Sequence, residues 1–154
     1  LAYILLSMSV KFRDHWGVGV WLFAVMLDFS FAFALWAAFD TSTALIAGGA
    51  LLLLTIYLSA ITPLLIVVSQ SDIVVGPARI EKKYIKSVEL LTSKSMALRR
   101  TREADPRAFL QLRFWVKPGI VIHLNDDRDP HPYWLVSTKH GHEIKEIIES
   151  LRKD

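Results

Sequence analysis

The pattern of apolar and polar positions divides the chain into two parts. From Gly17 to Val68 the side chains are almost continuously apolar, and the only charged residues are Asp28 and Asp40. After Val68 the apolar residues come in short pieces, separated by charged residues and turns. A long apolar run predicts membrane-spanning helices, whereas short alternating pieces predict strands.

Two segments of the first part are long enough to cross a bilayer, Gly17–Phe39 and Ala44–Val68. A helix rises about 1.5 Å per residue, so roughly 20 residues cover the hydrocarbon core. The polar residues 40–43 between them form a turn that can cap the second helix. Pro63 should kink that helix near its end. Because neither segment shows the polar stripe of a soluble helix, we expect an α-helical hairpin in a membrane.

The charges that flank the hairpin predict its orientation. Lys11 and Arg13 precede it, and the connecting turn carries no cation. Four cations follow it: Arg79, Lys82, Lys83 and Lys86. The positive-inside rule then puts both termini in the cytoplasm. We expect a multi-pass plasma-membrane protein with a cytoplasmic N-terminal segment at residues 1–16, two spans within 17–68, and a cytoplasmic domain at 69–154.

Asp28 lies at the midpoint of the first span, where a charged side chain costs at least about 2.5 to 3.5 kcal/mol. Reflection of the hairpin about its turn puts Thr55 level with Asp28, and Tyr57 and Ser59 within about one helical turn. A hydroxyl group can therefore donate to the carboxyl group inside the hairpin. One interpretation is a proton or cation relay. The other, which a single acidic residue favours, is a carboxyl group that holds the two helices or an oligomer together.

The second part predicts short strands followed by one helix. Asp72–Val75 is a strand that ends in a turn at Gly76 and Pro77. Ala108–Val116 alternates between a core face, which includes Leu110 and Phe114, and an amphipathic face. Its predicted hairpin partner, across a turn at 117–119, is Ile120–Leu124. Tyr133–Val136 is a further strand.

The chain ends in an amphipathic helix, His140–Lys153, for which Thr138 is the favoured N-cap. The segment Thr92–Ala104 is either a helix or a loop. Strands closed by a C-terminal helix are the order of elements in pleckstrin-homology-like (PH-like) domains. The predicted fold is therefore a membrane α-helical hairpin plus a small α+β domain, with the domain a PH-like sandwich or barrel. Such fold analogy carries little about function.

The sequence offers few residues for catalysis or cofactor binding. The absence of cysteine excludes disulfides, thiolate zinc sites and cysteine nucleophiles. The acidic turn Asn125–Asp129 lacks the glycine and the closing glutamate of a calcium loop. Nucleotide-binding and nucleophile-elbow motifs are absent from the sequence. The histidines lack the spacing of a zinc hydrolase; those of the last third are His123, His131, His140 and His142. We expect no catalytic residue, no metal and no cofactor, and we favour a protein that is not an enzyme.

A basic cluster and two tryptophans are the candidate binding residues of the domain. The cluster is Arg99, Arg100 and Arg102, with Arg107 and Arg113 nearby. Because the domain is tethered beside an anionic leaflet, phosphates of lipid headgroups are a simpler ligand than nucleic acid. The alternative is ordinary positive-inside charge with ion pairs to acidic neighbours. Trp115 and Trp134 belong either to the core or to a recognition surface.

Three stretches carry a resemblance to a known family: Arg102–Ala108 (READPRA), Leu112–Val116 (LRFWV) and Asp129–Thr138 (DPHPYWLVST). They resemble the actinobacterial membrane protein family described as domain of unknown function 3093 (DUF3093). The resemblance implies two spans and a small cytoplasmic domain, and it supplies no activity. It also implies a more uniformly apolar first span than one that contains Asp28.

Three hypotheses follow for the function. The first is a non-enzymatic, membrane-anchored module that binds or scaffolds a protein partner or anionic lipid headgroups. The second is a small enzyme or transport subunit that uses Asp28 or the Asp105/Arg107 pair. The third is a hairpin whose main role is assembly, with a larger membrane complex or as a homo-oligomer.

Overall fold

A computed structural model describes residues 9–126 and 130–151 of the chain. It divides into two compact units. The first unit, His15–Pro63, is a helical hairpin, and the second is an α+β domain built from the chain before and after it. The predicted fold class, a hairpin of apolar helices plus a small α+β domain, is confirmed.

The hairpin consists of α1, Val18–Ala38, and α2, Thr41–Ile61, each of 21 residues. Asp40 caps α2, because its carboxylate oxygens accept hydrogen bonds from the backbone N–H of Thr43 at 2.9 Å and from the Thr43 hydroxyl at 2.7 Å. The prediction that the turn caps the second helix is thereby confirmed.

Both helices are long and apolar enough to cross a membrane. Only 6% of the most apolar stretch of α1 and 17% of that of α2 is buried inside the structure. A core helix of a soluble protein would be mostly buried, so these exposed apolar surfaces indicate a lipid environment.

The predicted second span, Ala44–Val68, is too long at its C-terminal end. α2 ends at Ile61, and Leu64–Val68 is a strand, β2. Pro63 ends the helix where we had expected a kink, because proline has no N–H and disfavours a helical conformation at the residue before it. The apolar run continues past Pro63 because alternate residues of β2 enter the core of the domain.

The N-terminal segment also needs correction. Val10–Asp14, placed in a separate segment by the sequence analysis, forms strand β1. It pairs antiparallel with β2, in a register that sets Val10 opposite Val68 and Asp14 opposite Leu64. The whole helical hairpin is therefore inserted between two neighbouring strands of one sheet.

The first sheet has the order β1-β2-β3-β4 and is antiparallel throughout. β3 is Asp72–Val75, as predicted, and β4 is Ala78–Glu81. The turn between them needs Gly76, which has a φ of +58°. A 3-10 helix, Lys82–Tyr84, then leads to the second sheet.

The second sheet has the order β5-β7-β8-β6. β5 is Ile85–Leu91, β6 is Phe109–Gln111, β7 is Gly119–Leu124, and β8 is Tyr133–Ser137. The strand predicted at Tyr133–Val136 is confirmed, but the predicted hairpin of Ala108–Val116 with Ile120–Leu124 is wrong. β7 pairs antiparallel with β5 and β8, whereas β6 lies parallel to β8.

The predicted strand Ala108–Val116 is shortened to the three residues of β6. At its end the backbone N–H of Arg113 donates to the hydroxyl of Ser137, at 3.1 Å, and the chain then turns. The alternation of side chains stops with the strand, so Leu110 and Phe114 are exposed although we predicted them in the core.

Two further helices complete the domain. α3, Ser93–Arg100, resolves the uncertain segment 92–104 and is capped by Thr92, whose hydroxyl accepts from Ser95 N–H at 3.2 Å. α4 is Gly141–Ser150, shorter than the predicted His140–Lys153, and residues 152–154 lie outside the described ranges. Its N-cap is His140, not Thr138, whose hydroxyl instead accepts from the backbone N–H of His140.

The core lies between the two sheets and beneath α4. It takes alternate residues of β2, β3, β7 and β8, together with Ile144 and Ile148 of α4. A smaller cluster lies on the other face of the second sheet, where Met96 of α3 is fully buried against Val121 and Leu135. α3 and α4 thus cover different faces of the second sheet.

Candidate functional site

A buried carboxyl group marks the middle of the helical hairpin. Asp28 is 8% exposed, and the hydroxyl of Thr55 donates to its Oδ1 at 3.4 Å. This distance exceeds the usual 2.5–3.0 Å range for hydrogen bonds between two oxygen atoms. Asp28 Oδ2 is buried and has no hydrogen-bond partner among the described residues. The hydrogen bonding of this carboxyl group is therefore incomplete within one hairpin.

The two other hydroxyls predicted near Asp28 have different surroundings. The hydroxyl of Ser59 donates to the backbone carbonyl of Ile56, at 2.7 Å. Tyr57 is largely exposed on the surface of α2. Of the three predicted neighbours, the structure brings only Thr55 to Asp28.

Asp28 lines an apolar groove of about 260 Å³ on the hairpin. At one side α1 and α2 approach closely, since a Cβ atom on Gly48 would lie 2.9 Å from the Cβ of Ala32. A Cβ atom on Gly49, in contrast, would meet nothing within 4 Å. We call this region the hairpin groove; its members include Asp28, Ala32, Ala44, Gly48, Gly49 and Leu52.

A second candidate site surrounds the point where the chain leaves the domain. Asp14, the last residue of β1, is 1% exposed. The indole N–H of Trp115 donates to its backbone carbonyl at 3.4 Å, and the backbone N–H of Lys139 donates to its Oδ1 at 3.2 Å. Asp14 thereby joins the loop after β6 and the loop after β8 to the strand that precedes the hairpin.

The exposed residues around Asp14 combine an aromatic ring with cations. Phe114 is 74% exposed, and its ring packs edge-on against Trp115 with the ring centroids 4.8 Å apart. Arg13, Lys117 and Lys139 are exposed close to Asp14 or to Phe114 in the chain. We call this region the exit surface; its members are Arg13, Arg113, Phe114, Trp115, Lys117 and Lys139.

The five arginines of the predicted basic cluster have different environments. Arg99 lies 3.6 Å from Glu89 and 3.4 Å from Glu103, which leaves its charge largely balanced. Arg100 and Arg102 form no ion pair with any residue that the structure describes. Arg113 belongs to the exit surface, and Arg107 to the turn that contains Asp105.

The Asp105/Arg107 pair is a local turn at the surface. Asp105 Oδ1 accepts from the backbone N–H of Arg107 at 2.9 Å and from its guanidinium Nε at 3.4 Å. These bonds, led by the backbone N–H, lower the pKa of Asp105 below its usual 3.8. The geometry is that of an Asx turn, in which the aspartate serves the backbone.

The two candidate tryptophans separate into core and surface. Trp134 is 3% exposed, and its ring lies 5.0 Å from that of Phe109. Trp115 is half-buried beside Asp14 and Phe114. Trp134 therefore belongs to the core, and Trp115 to the exit surface.

A polar cleft of about 440 Å³, which was not predicted from the sequence, lies beside β4. Asp72, Arg79, Glu81 and Asp126 line it. Arg79 Nε lies 2.6 Å from Asp72 Oδ2, and the hydroxyl of Ser71 donates to the other oxygen at 2.8 Å. The buried carboxylate of the cleft is thus already neutralised by the protein itself, which is typical of a structural ion pair.

Lys82, next to this cleft in the chain, is a buried cation. Its Nζ atom has no hydrogen-bond partner among residues 9–126 and 130–151. Burial lowers the pKa of Lys82 below its usual 10.5, and the nearby charge of Asp72 partly offsets the effect. Nothing in the sequence distinguished this lysine from its exposed neighbour Lys83.

The histidines make separate contacts. His123 Nε2 lies 3.5 Å from Glu89, and His140 Nδ1 lies 2.7 Å from Glu143. Within the described part of the chain, no three histidine, aspartate or glutamate side chains gather as metal ligands would. Part of the acidic turn Asn125–Asp129 lies outside that part.

These features define a class of protein: an α+β domain interrupted, between its first two strands, by a hairpin of two helices long and apolar enough to cross a membrane. The chain belongs to the family described as "Protein of unknown function (DUF3093)", which it matches over residues 11–148. The predicted family is confirmed, and its match includes the whole helical hairpin. No curated protein and no solved structure matches the chain.

Proposed function

We propose that this protein is an integral membrane protein with cytoplasmic termini and no catalytic activity, whose domain binds anionic lipid headgroups through the exit surface. The observation that carries the proposal is Phe114, an exposed aromatic ring that packs against Trp115, the residue that contacts Asp14, in a loop that also carries Arg113 and Lys117. Aromatic rings favour the bilayer interface, and each Lys or Arg near an anionic leaflet contributes about 1 kcal/mol.

Chain length supports the location of this surface. Asp14 and Val18, where α1 begins, are four positions apart, and four residues reach at most about 14 Å. The exit surface contacts Asp14 directly through Trp115. If α1 spans a bilayer, the exit surface must lie within reach of its headgroups.

The distribution of charge supports lipid over the other partners. Arg13 and Lys139 adjoin Asp14, and Lys117 follows Phe114 in the same loop, so the exit surface combines cations with an exposed aromatic ring. This combination lets a surface enter an anionic interface. The core of a protein–protein interface is depleted of charged residues, whereas the exit surface joins one apolar ring to several cations. Nucleic acid carries phosphates that an anionic leaflet beside this surface would repel. Arg100 and Arg102 of α3 and its following turn could extend the contact to further headgroups.

A PH-like architecture remains part of this proposal. Two four-stranded sheets with a C-terminal helix across the core support it. Such a domain would serve as an interaction module, since nothing in its architecture requires a reaction.

The alternative function, a small enzyme or transport subunit, depends on Asp28. Its support is the unpartnered Oδ2 atom in the hairpin. A transport role predicts that Asp28→Asn abolishes an activity while the protein still folds and inserts. An Asp28→Asn protein changed only in stability or oligomeric state would contradict that role.

The lipid proposal can be tested with one fluorophore on the full chain. The chain contains no cysteine, so Phe114→Cys offers a single attachment site for an environment-sensitive dye. In vesicles that contain phosphatidylserine, we expect a blue shift and higher intensity than in neutral vesicles. The control is Ser87→Cys, an exposed site on β5 at the opposite edge of the second sheet from β6, whose dye should respond less to lipid charge.

Charge reversal and salt sharpen the test. Lys117→Glu should reduce the fluorescence change that anionic vesicles cause in the dye at position 114. Added salt should reduce the same change in the protein that retains Lys117. A dye at position 114 that remains equally exposed to water in both lipids would overturn the proposal. A response that appears only after addition of another protein would indicate a protein partner instead.

A further inference from the structure

We propose that the hairpin groove binds the hairpin of a second copy of this chain, and that the two Asp28 carboxyl groups hydrogen-bond to each other across the interface. The inference concerns the hairpin alone and stands independently of lipid binding by the domain. It rests on three features: an unsatisfied carboxyl group, a groove with small residues, and the symmetry of two identical copies.

The carboxyl group lacks a good partner within one chain. Thr55 supplies one long contact, of 3.4 Å, and Oδ2 has none among the described residues. Asp28 is also the eleventh residue of a 21-residue helix, so it lies at the depth where water is scarcest. An unsatisfied polar group at that depth favours association with a helix that brings a hydrogen-bonding group.

The groove beside Asp28 has the shape that close helix packing requires. Its walls include Ala32, Ala44 and Gly49, and the space over Gly49 is open to at least 4 Å. Small residues let the backbone of another helix approach closely. A lipid acyl chain would fill the same volume but has no group that can hydrogen-bond to Asp28.

A second copy is the occupant whose chemistry matches. Two copies in the same membrane orientation place Asp28 at the same depth, where a two-fold axis brings equivalent residues together. A protonated carboxyl group both donates and accepts, so two of them complement each other. The terminal torsion of aspartate is soft, which lets an oxygen atom turn toward the groove.

The hydroxyl groups elsewhere in the hairpin are less suitable. Ser30 donates to the backbone carbonyl of Met26 at 2.8 Å, and Ser59 donates to that of Ile56. Both hydroxyls are thus satisfied within their own helices. Asp28 is the buried polar residue of α1 that retains a free hydrogen-bonding atom.

Disulfide cross-linking in membranes tests the interface. Leu52 lines the groove, and Leu54 lies about 200° away around the same helix; their exposures, 41% and 49%, are similar. In the cysteine-free chain, Leu52→Cys should form a disulfide-linked dimer on mild oxidation. Leu54→Cys, the matched control, should form much less.

Substitutions of Asp28 then test the hydrogen bond. Asp28→Leu should weaken dimerisation about tenfold, which is the scale of a hydrogen bond between membrane helices. Asp28→Asn should retain most of it, because an amide also donates and accepts. Circular dichroism of each variant shows whether the helices still form.

If the Asp28→Leu protein misfolds, the inference can still be tested on the unmodified chain by counting the number of protein copies in each complex with single-molecule fluorescence. The dye-labelled protein should pass from dimer to monomer as it is diluted in lipid. Monomers at every protein-to-lipid ratio would overturn the inference. So would equal cross-linking at positions 52 and 54, or adducts formed only with other proteins.

Discussion

At Gly119 the backbones of β7 and β8 approach too closely for a side chain. A Cβ atom there would lie 2.4 Å from the carbonyl oxygen of Val136 and 2.8 Å from Cε of Met96. Gly119→Ala should therefore lower the free energy of unfolding of the domain by about 1 to 3 kcal/mol. Urea unfolding of the detergent-solubilised chain, followed by the fluorescence of buried Trp134, would measure it.

The control for this prediction is Gly19→Ala. A Cβ atom at Gly19 would meet nothing within 4 Å, and alanine is the better helix former. In the Gly19→Ala variant, the domain should unfold at the same urea concentration as in the unmodified protein. Equal stability of the Gly119→Ala protein would show that the two strands can separate without cost.

Lys82 and Lys83 should contribute to stability with opposite dependence on pH. Burial lowers the pKa of Lys82, whereas a hydrogen bond to Glu81 and then one to Tyr84 raise that of Lys83. The unfolded chain keeps the proton of Lys82 to a higher pH than the folded chain does. The contribution of Lys82 to folding stability therefore increases as pH rises toward 10.5. The Lys83 term is present below 10.5 and is lost as pH rises through its raised pKa.

Replacement by methionine separates the two lysines. Lys82→Met should remove the rise in folding stability at alkaline pH. It should also stabilise the domain at neutral pH by about 1 kcal/mol, because a buried ammonium group without a hydrogen-bond partner is removed. Lys83→Met should instead remove the loss of folding stability that occurs as pH rises through the pKa of Lys83. Urea unfolding of both variants between pH 7 and pH 11, a range that includes the usual lysine pKa of 10.5, would measure the difference. Parallel pH profiles for the two would contradict the burial of Lys82.

Among the elements, the turn of the hairpin depends on one cap. Hydrogen bonds from the Thr43 hydroxyl and then from its backbone N–H lower the pKa of Asp40 below 3.8. The stability that this cap supplies is present above that value and is lost as pH falls through the lowered pKa. Asp40→Ala should weaken the hairpin near neutral pH, whereas Asp40→Asn should keep the cap and remove its acid sensitivity.

Unfolding in mixed micelles with increasing dodecyl sulfate, followed by circular dichroism, would measure the hairpin. The Asp40→Ala protein should unfold at a lower mole fraction of the denaturing detergent. If Asp40→Asn and Asp40→Ala behave alike, the cap contributes nothing to the hairpin.

The contact between the two helices is asymmetric at adjacent glycines. A Cβ atom on Gly48 would lie 2.9 Å from Ala32 Cβ, whereas one on Gly49 would touch nothing. Gly48→Ala should push α1 and α2 apart and lower hairpin stability by about 1 kcal/mol or more. Gly49→Ala should leave it unchanged or improve it, because alanine favours a helix. The same detergent titration distinguishes them, and equal losses would refute the close approach.

Periodicity predicted the elements better than their pairing. The spans and α4 follow from apolar length and from a stripe of isoleucines, and both signals are local. Leu64–Val68 reads equally well as helix or buried strand, because a short apolar run has no period that separates the two. β1 alternates as Val10, Lys11, Phe12 and Arg13, but its partner lies beyond the entire hairpin.

The proposed topology, in which both helices cross the membrane and the domain is cytoplasmic, gives a direct prediction. It puts the turn at 40–43 and the domain on opposite sides of the membrane. Ser42→Cys and Ser93→Cys are exposed single sites in a cysteine-free chain. A membrane-impermeant maleimide added to intact cells should label position 42, and should label position 93 only after the membrane is opened. Labelling of both sites in intact cells would contradict the orientation.

At this scale the sequence predicted one candidate site and missed the other. Asp28 and Thr55 come together because a helical hairpin has simple reflection geometry, which fixes residues at equal depth. The exit surface depends on contacts of Asp14 with Trp115 and Lys139, which join three distant stretches of chain. No local pattern encodes such a meeting, so Phe114 was assigned to the core.

The pairing of β1 with β2 across the inserted hairpin has a consequence for biogenesis. β1 is synthesised first, yet β2, its neighbour in the sheet, follows both apolar helices in the chain. The first sheet therefore cannot be completed until both helices have been synthesised. Pairings between residues far apart in sequence are slow to form, because the intervening chain must first close into a loop. Prior formation of the helical hairpin would shorten that loop, so we expect the hairpin to form before β1 pairs with β2.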